Sequence, residues 1–272
     1  MSWFSVRCVL SACAVILSIA LLADPSLPQE VVMADKPDLE APDVIVSATK
    51  TEMPAKQVTS AVEVITGEDL QQRKIRTVAE ALRWASGLAV FQSGGLGTTV
   101  GVRMRGGTPQ QTLVLIDGAI VNSATDGSYD FANLTSDNIE RIEILRGSQS
   151  MIWGSDAMGG VINITTKRGR EKPNISGFVE YGSFNTIREG GSLSGKKGPI
   201  DFSGSITRLD TAGFSAINYR RGAAERDGYH NWQGSVRLGA DLPKNGRLEF
   251  SFRWLNGSVN FDGFGVNPTT FA

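Results

Sequence analysis

The sequence predicts an α+β domain followed by antiparallel transmembrane β-barrel strands, with the barrel incomplete in this chain. Three observations predict it. Between residues 61 and 166, short β-prone runs alternate with two segments that carry helix start signals. Past Arg170 the hydrophobic period becomes two. Beyond the N-terminal segment, no run approaches the roughly twenty apolar residues of a spanning helix, so a membrane crossing would have to use strands.

The first segment, MSWFSVRCVLSACAVILSIALLADPS, has one charge, Arg7, ahead of an apolar run from Cys8 to Leu22. A short positive n-region and an h-region of this length describe a secretory signal over residues 1–23. Cleavage after Ala23 fits, although Leu21 is a poor residue for its position, and Ala34 offers a second site. A retained membrane anchor and lipoprotein processing at Leu10–Cys13 (LSAC) are the alternatives. Both cysteines, Cys8 and Cys13, fall in this segment. The exported chain therefore has no disulfide and must gain stability from packing, a barrel or a partner. A net charge of −1 over 272 residues gives no basic field for nucleic acid, and 31 glycines suit a β-rich, turn-rich chain.

Residues 24–42 are rich in proline and acidic residues and read as an extended lead. They meet DVIVSATK, residues 43–50, a short β-prone run. The domain expected over 51–170 opens with a strand at Ala61–Ile65. Thr66 with Asp69, and Thr77 with Glu80, fit the S/T-x-x-D/E signature of a helix start. The second helix carries Val78, Ala81, Leu82 and Ala85 on one face and stops at Gly87. Strands follow at Leu88–Phe91, Val100–Arg105, Leu113–Ile116, Arg141–Leu145 and Val161–Thr166. Asp117-Gly118, set between LVLI and AIV, is a two-residue hairpin signal.

Within residues 171–272 the alternation is plain. Ile200, Phe202 and Ile206 alternate with Asp201, Ser203, Ser205 and Thr207; Trp232, Val236, Leu238 and Leu242 alternate with Gln233, Ser235, Arg237 and Asp241; Leu248, Phe250, Phe252 and Trp254 alternate with Arg247, Glu249, Ser251 and Arg253. Runs of roughly ten residues, apolar on one face and polar on the other with aromatics near the ends, describe lipid outside and a wet lumen inside. Soluble sandwich strands alternate too, but are shorter and turn the apolar face inward. Lys196-Lys197-Gly198 and Pro243–Gly246 read as tight periplasmic turns, and Thr211–His230 as a long external loop. The first external connection, Ser183–Thr186, is shorter than that scheme expects. About five strands fit, fewer than the roughly eight of the smallest barrels, so this stretch cannot close alone.

The segment DVIVSATKTEMPAKQV resembles the coupling box of TonB-dependent outer-membrane receptors. VRMRGGTPQQTLVLIDGAIVN and NIERIEILRGSQSMIWGSDAMGGVINITTKRG resemble the plug domain of the same family, in its order and spacing, across Asp43–Arg168. TLVLIDG and WGSDAMGG bring it nearest to cobalamin and catecholate-siderophore receptors; Ser148 and Trp153 stand where the family often has Pro and Tyr. The resemblance implies that Asp43, Val44, Ile45, Val46, Ser47 and Ala48 couple to TonB of the inner-membrane energising complex by adding a strand to a sheet edge. Read as residues alone, the same run serves equally as an ordinary first strand. The resemblance also implies a plug–barrel latch formed by Arg105 and Arg146 against barrel glutamates expected beyond residue 272; the plain alternative is that each Arg caps a strand or sits in water.

Two glycine-rich loops, 93–99 and 122–129, are the ligand-contact candidates, through Ser93, Gly94, Gly95, Asn122, Ser123 and Tyr129; either could be an idle surface turn. The implied ligand is a ferric siderophore, cobalamin or haem, with outer-membrane lipid around the barrel. No cofactor, metal site or catalysis is expected. GSDAMGG lacks the Lys-Ser/Thr of a phosphate loop. His230 is the sole histidine, and Asp210 with Asp227 is too sparse for a calcium cage. Residues 24–42 are too few for an added signalling domain, so no direct control of a sigma factor is expected. Four readings stay open: a receptor for energy-coupled uptake, a truncated ligand-binding plug without transport, an exported enzyme, which hydrolytic activity lost on His230→Ala would mark, and an incomplete gene with no function.

Overall fold

Thr66 ends one strand and starts one helix, and its capping box fixes the local geometry. In the computed structural model its hydroxyl accepts from the Asp69 amide at 3.1 Å, while the Asp69 carboxylate accepts from the Thr66 amide at 3.0 Å. The structure describes residues 44–45, 53–54, 61–170, 172–214, 227–244 and 246–260. The expected signal, the lead, Asp43, Val46–Ala48 and the interior of the long external loop lie outside the described residues.

Two short strands, β1 (Val44–Ile45) and β2 (Met53–Pro54), pair antiparallel, Val44 opposite Pro54 and Ile45 opposite Met53. The α+β domain follows with β3 (Ala61–Thr66), α1 (Gly67–Gln72), α2 (Val78–Trp84), β4 (Leu88–Gln92), β5 (Val100–Met104), β6 (Thr112–Ile116), β7 (Ala119–Ile120), β8 (Ile139–Arg146), α3 (Ser150–Trp153) and β9 (Gly160–Thr166). Its main sheet has the order β3-β8-β9-β6-β7; β6 and β9 run parallel, and the other pairs are antiparallel. β4 and β5 form a separate hairpin.

The period-two pattern of β6, β8 and β9 sends Val114, Ile116, Ile142, Ile144, Ile162 and Ile164 to one face, where they pack with Val78, Ala81 and Leu82 of α2. Leu113, Leu115, Leu145 and Val161 take the opposite face. Asp117 and Gly118 both adopt positive φ, 52° and 81°, as a two-residue hairpin of the primed type requires.

Five strands then form one antiparallel sheet in chain order: β10 (Asn174–Gly182), β11 (Thr186–Lys197), β12 (Ile200–Thr211), β13 (Tyr229–Leu242) and β14 (Gly246–Val259). Among the described residues this sheet is open, with β10 and β14 at its edges. The short connection after β10 is made by Ser183, Phe184 and Asn185, the last two at positive φ. The long external connection is narrower than Thr211–His230, because ladder pairing carries β12 to Thr211 and starts β13 at Tyr229.

Burial in this sheet is inverted relative to a soluble sandwich. Ile175 is 80 % exposed and Phe250 57 %, whereas Asn231 is 1 % and Arg237 3 % exposed. The polar face lies against the α+β domain and the apolar face looks away, the pattern expected of strands in lipid. Among the described residues no helix is long and apolar enough to cross a membrane.

Candidate functional site: the seam between the α+β domain and the strand wall

Side chains alternate across a strand, so every second residue of β13 points to the α+β domain. Five successive inward residues each bond to it. The Tyr229 hydroxyl donates to Asn133 Oδ1 at 2.9 Å, and Asn231 Nδ2 donates to the Asn133 carbonyl at 3.1 Å. Gln233 meets the Thr135 amide and hydroxyl. Asn138 Nδ2 donates to Ser235 Oγ at 2.8 Å. Arg237 Nη1 donates to Asp117 Oδ1 at 2.8 Å and to the Thr166 carbonyl at 2.9 Å.

Arg237 closes this rail with the densest polar contact of the seam. Asp117 also accepts from the Thr166 amide and hydroxyl, each at 2.8 Å. On its other side Arg237 Nε donates to Glu249 of β14 at 2.6 Å. Glu249 in turn meets Arg168 and Arg247, both at 3.4 Å. Arg247 pairs as well with Asp201 and Asp241. Burial, together with the neighbouring Arg237 charge, pulls the Arg168 guanidinium below its ordinary value; Glu249 opposes this.

Across β10–β12 the ties are fewer. Arg188 of β11 pairs with Asp137 and, at 2.9 Å, with Glu180, and its guanidinium stacks 4.4 Å from the Phe178 ring centre. Glu180 also meets Arg76 at 3.5 Å. Ser203 donates to the Lys167 carbonyl at 2.6 Å. A cavity of about 310 Å³ lies along this side, with Gln71, Lys74 and Lys167 on the domain face and Ser176, Ser192 and Thr207 on the wall. A second, of about 220 Å³, lies by the edge strand β14, between Tyr129, Asp117, Arg237 and Arg253.

Sequence reasoning missed this seam. It expected arginines on the domain and glutamates on the wall; in the described seam, wall Arg188 and Arg237 meet domain Asp137 and Asp117. The available signal was arginine recurring at inward positions of alternating strands.

The expected latch residues are apart from this seam. Arg146 pairs with Glu63 inside the domain at 2.9 Å and donates to the Ser86 carbonyl at 2.5 Å. Arg105 is exposed at positive φ, its guanidinium beside Gly147, with no carboxylate partner among the described residues.

Of the ligand candidates, Ser93, Gly94 and Gly95 lie in the β4–β5 turn. In that turn a Cβ on Gly97 would meet the Tyr229 ring at 2.3 Å, so the turn abuts the strand wall. Asn122 is structural in its contacts: it accepts from the Val114 amide at 2.7 Å and donates to the carbonyls of Thr112 and Gly127. Ser123 is exposed in the same loop, where the Ser128 and Ser123 hydroxyls hold the Asp126 carboxyl below the usual range. Tyr129 is half-buried, edge-on to Phe131 at 4.8 Å, and burial raises its phenol. His230, exposed on β13, lies 2.9 Å from Asp210. Among the described residues no cluster of three or more His, Cys, Asp or Glu could hold a metal ion.

Residues 54–161 match the model of the TonB-dependent receptor plug domain. The chain is 33 % identical over 243 residues to the vitamin B12 transporter BtuB of Photobacterium profundum, covering 89 % of this chain and 39 % of that protein. It is 34 % identical over 162 residues to the vitamin B12 transporter BtuB of Vibrio cholerae, covering 58 % and 26 %. The siderophore receptor PirA from Acinetobacter baumannii superposes with a TM-score of 0.58 at 25 % identity, covering 73 % of this chain and 32 % of that one. The ferripyoverdine receptor of the outer membrane of Pseudomonas aeruginosa superposes with a TM-score of 0.67 at 16 % identity, covering 79 % and 28 %. The chain thus spans about two fifths or less of each of these relatives.

Proposed function

This chain carries the plug domain of TonB-dependent receptors, followed by strands resembling the start of their barrel, and from that premise we propose that the protein it belongs to takes up a scarce, bulky ligand across the outer membrane. The ligand is a cobalamin or a ferric siderophore, the classes named for its relatives, with haem the alternative that the uptake test below includes. The observation that carries the reading is the combination of a matched plug domain with a strand sheet whose apolar face looks outward and whose polar face grips that domain.

The physical logic runs from the N-terminus. Residues 1–23 direct export, 24–42 span part of the periplasm, 43–50 form the coupling segment, 51–170 the plug and 171–272 the first barrel strands. Asp43–Ala48 bind TonB as an added strand, main-chain hydrogen bonds bearing the load. Val44 and Ile45 of that segment already pair as a strand with Pro54 and Met53, the extended form an added strand needs. Arg105 has a guanidinium available for a barrel carboxylate, while Arg146 would have to leave Glu63 to serve the latch. The 93–99 and 122–129 loops face the ligand, with Ser93, Gly94, Gly95, Ser123 and Tyr129 as contacts and Asn122 shaping the second loop. The chemistry is binding and movement, not bond-breaking.

The test is to produce the whole receptor in an outer membrane and delete residues 43–48. Surface binding and uptake of cyanocobalamin, ferric enterobactin and haemin are then measured. Binding of one of these should persist while its uptake is lost. Uptake unaffected by the deletion would refute TonB coupling, and binding with no uptake even before deletion would favour a non-transporting plug.

A further inference from the structure

The seam is asymmetric, and the asymmetry has a direction. On β13, five consecutive inward side chains, from Tyr229 to Arg237, are each bonded to the plug. Under β10–β12 the plug stands off by a cavity of about 310 Å³, room for several waters. The wall there is built of small polar residues: Ser176 and Ser192, joined by a 2.7 Å hydrogen bond, with Ser205 and Thr207 beside them. Facing them is the end of α1, with Gln71 and Lys74. Two closures bound the space. One is the Arg188–Asp137–Glu180 cluster with Arg76, the other a single hydrogen bond from Ser203 to Lys167.

We propose that the rail on β13 is the fixed side of the plug and that the cavity under β10–β12 is where a path for a hydrophilic solute opens. This rests on the transport reading above. Moving the plug off β13 requires breaking the nearly buried Arg237–Asp117 pair and four other contacts together, leaving charges without water. Widening the cavity breaks one near-buried pair, Arg188–Asp137, the half-exposed Arg76–Glu180 pair and one hydrogen bond, and Asp137, Arg188 and Glu180 line a space with room for water. The serine and threonine hydroxyls of the wall can replace a solute's lost hydration without selecting among chemistries. Arg188 is the closing bar of this path: from β11 it grips Asp137 of the plug and also Glu180 on β10, which in turn meets Arg76 of the plug.

Two experiments on the whole receptor in membranes test this. In the first, single cysteines replace Ser176 or Ser192 in the cavity and Asn231 on the rail. A hydrophilic, membrane-impermeant maleimide should label the cavity positions and leave the rail position protected. Arg188→Ala should speed labelling at Ser192→Cys and leave Asn231→Cys protected. Equal labelling on both sides, or faster labelling on the rail, overturns the proposal whether or not any ligand is carried. In the second, Gln71→Cys with Ser192→Cys is bridged by a short bis-maleimide, and Thr135→Cys with Gln233→Cys by a disulfide. Uptake of cyanocobalamin or ferric enterobactin should be lost with the cavity bridged, surface binding remaining, and should survive with the rail bridged. Uptake that survives the cavity bridge, or stops only with the rail bridge, overturns the assignment. An unbridged receptor that binds but carries neither probe counts against transport instead, and the labelling contrast still decides where the plug is loose.

Discussion

Arg237→Ala removes the centre of the plug seat. Its side chain is 3 % exposed, that of its partner Asp117 6 % and that of Glu249 24 %. Deleting one partner of a buried pair costs about 3–5 kcal/mol, mostly because the survivor is left without solvent. Here both survivors keep company: Asp117 retains two hydrogen bonds from Thr166, and Glu249 retains Arg168 and Arg247. The low end, about 3 kcal/mol, is therefore expected. The assay is a urea titration of the whole protein, following thiol labelling at a Thr135→Cys reporter on the seam. With a urea slope of about 1–3 kcal/mol/M, the midpoint should fall by roughly 1–3 M. Lys196→Ala is the control, because its side chain and that of its partner Asp241 are 38 % and 44 % exposed and screened by water, so its loss should move the midpoint by much less. A midpoint unchanged by Arg237→Ala, or moved as far by Lys196→Ala, would refute burial as the source of the hold.

Other outcomes follow from the same geometry. Thr66→Ala removes the cap of α1 and should cost about 1 kcal/mol in the urea midpoint of the plug. The Thr66 hydroxyl lowers the Asp69 pKa, with Arg73 adding to the effect, so the cap's contribution is whole above the unfolded value near 4. It fades as pH falls through the lowered folded value, so the wild-type and Thr66→Ala curves should draw together in acid and stay apart at neutral pH. Val236→Arg puts a charge on the outward face near the middle of β13 and should destabilise the sheet in lipid by about 2–4 kcal/mol, measured by refolding into vesicles. Gly97→Ala, at φ 82° and against Tyr229, should loosen the β4–β5 turn from the wall, seen as faster labelling of Ser93→Cys; unchanged labelling would mean that the turn does not bear on β13.

What the sequence made legible was local. Both caps, at Thr66 and Thr77, accept from the amide of an acidic residue three positions on, and the Asp117-Gly118 turn needs only its own two residues. The alternation of β12–β14 likewise announces itself within each strand. The seam was not legible, because its partners are far apart in the chain: Tyr229 and Asn133 by 96 positions, Arg237 and Asp117 by 120. Nor could spacing reveal that β6 pairs parallel with β9 although β7 and β8 come between them in the chain, since a short strand run carries no mark of its neighbour. Asn122 shows the same limit from the other side. A polar residue in a glycine-rich loop suggested a ligand contact, but its amide is occupied by three backbone groups of its own domain.

The positive-φ turn at Asp117 bears on the order in which the molecule assembles. A two-residue hairpin closes on a scale of about 1–10 µs, and Thr166 of β9 then holds the Asp117 carboxylate through its amide and hydroxyl. Arg237 reaches it only after the much longer loop between them has closed, at an entropic cost that grows slowly with length. The carboxylate is thus set out early, at the end of a short sheet, and waits for a wall made later. The domain presents a finished peg, and β13 is the strand that has to find it.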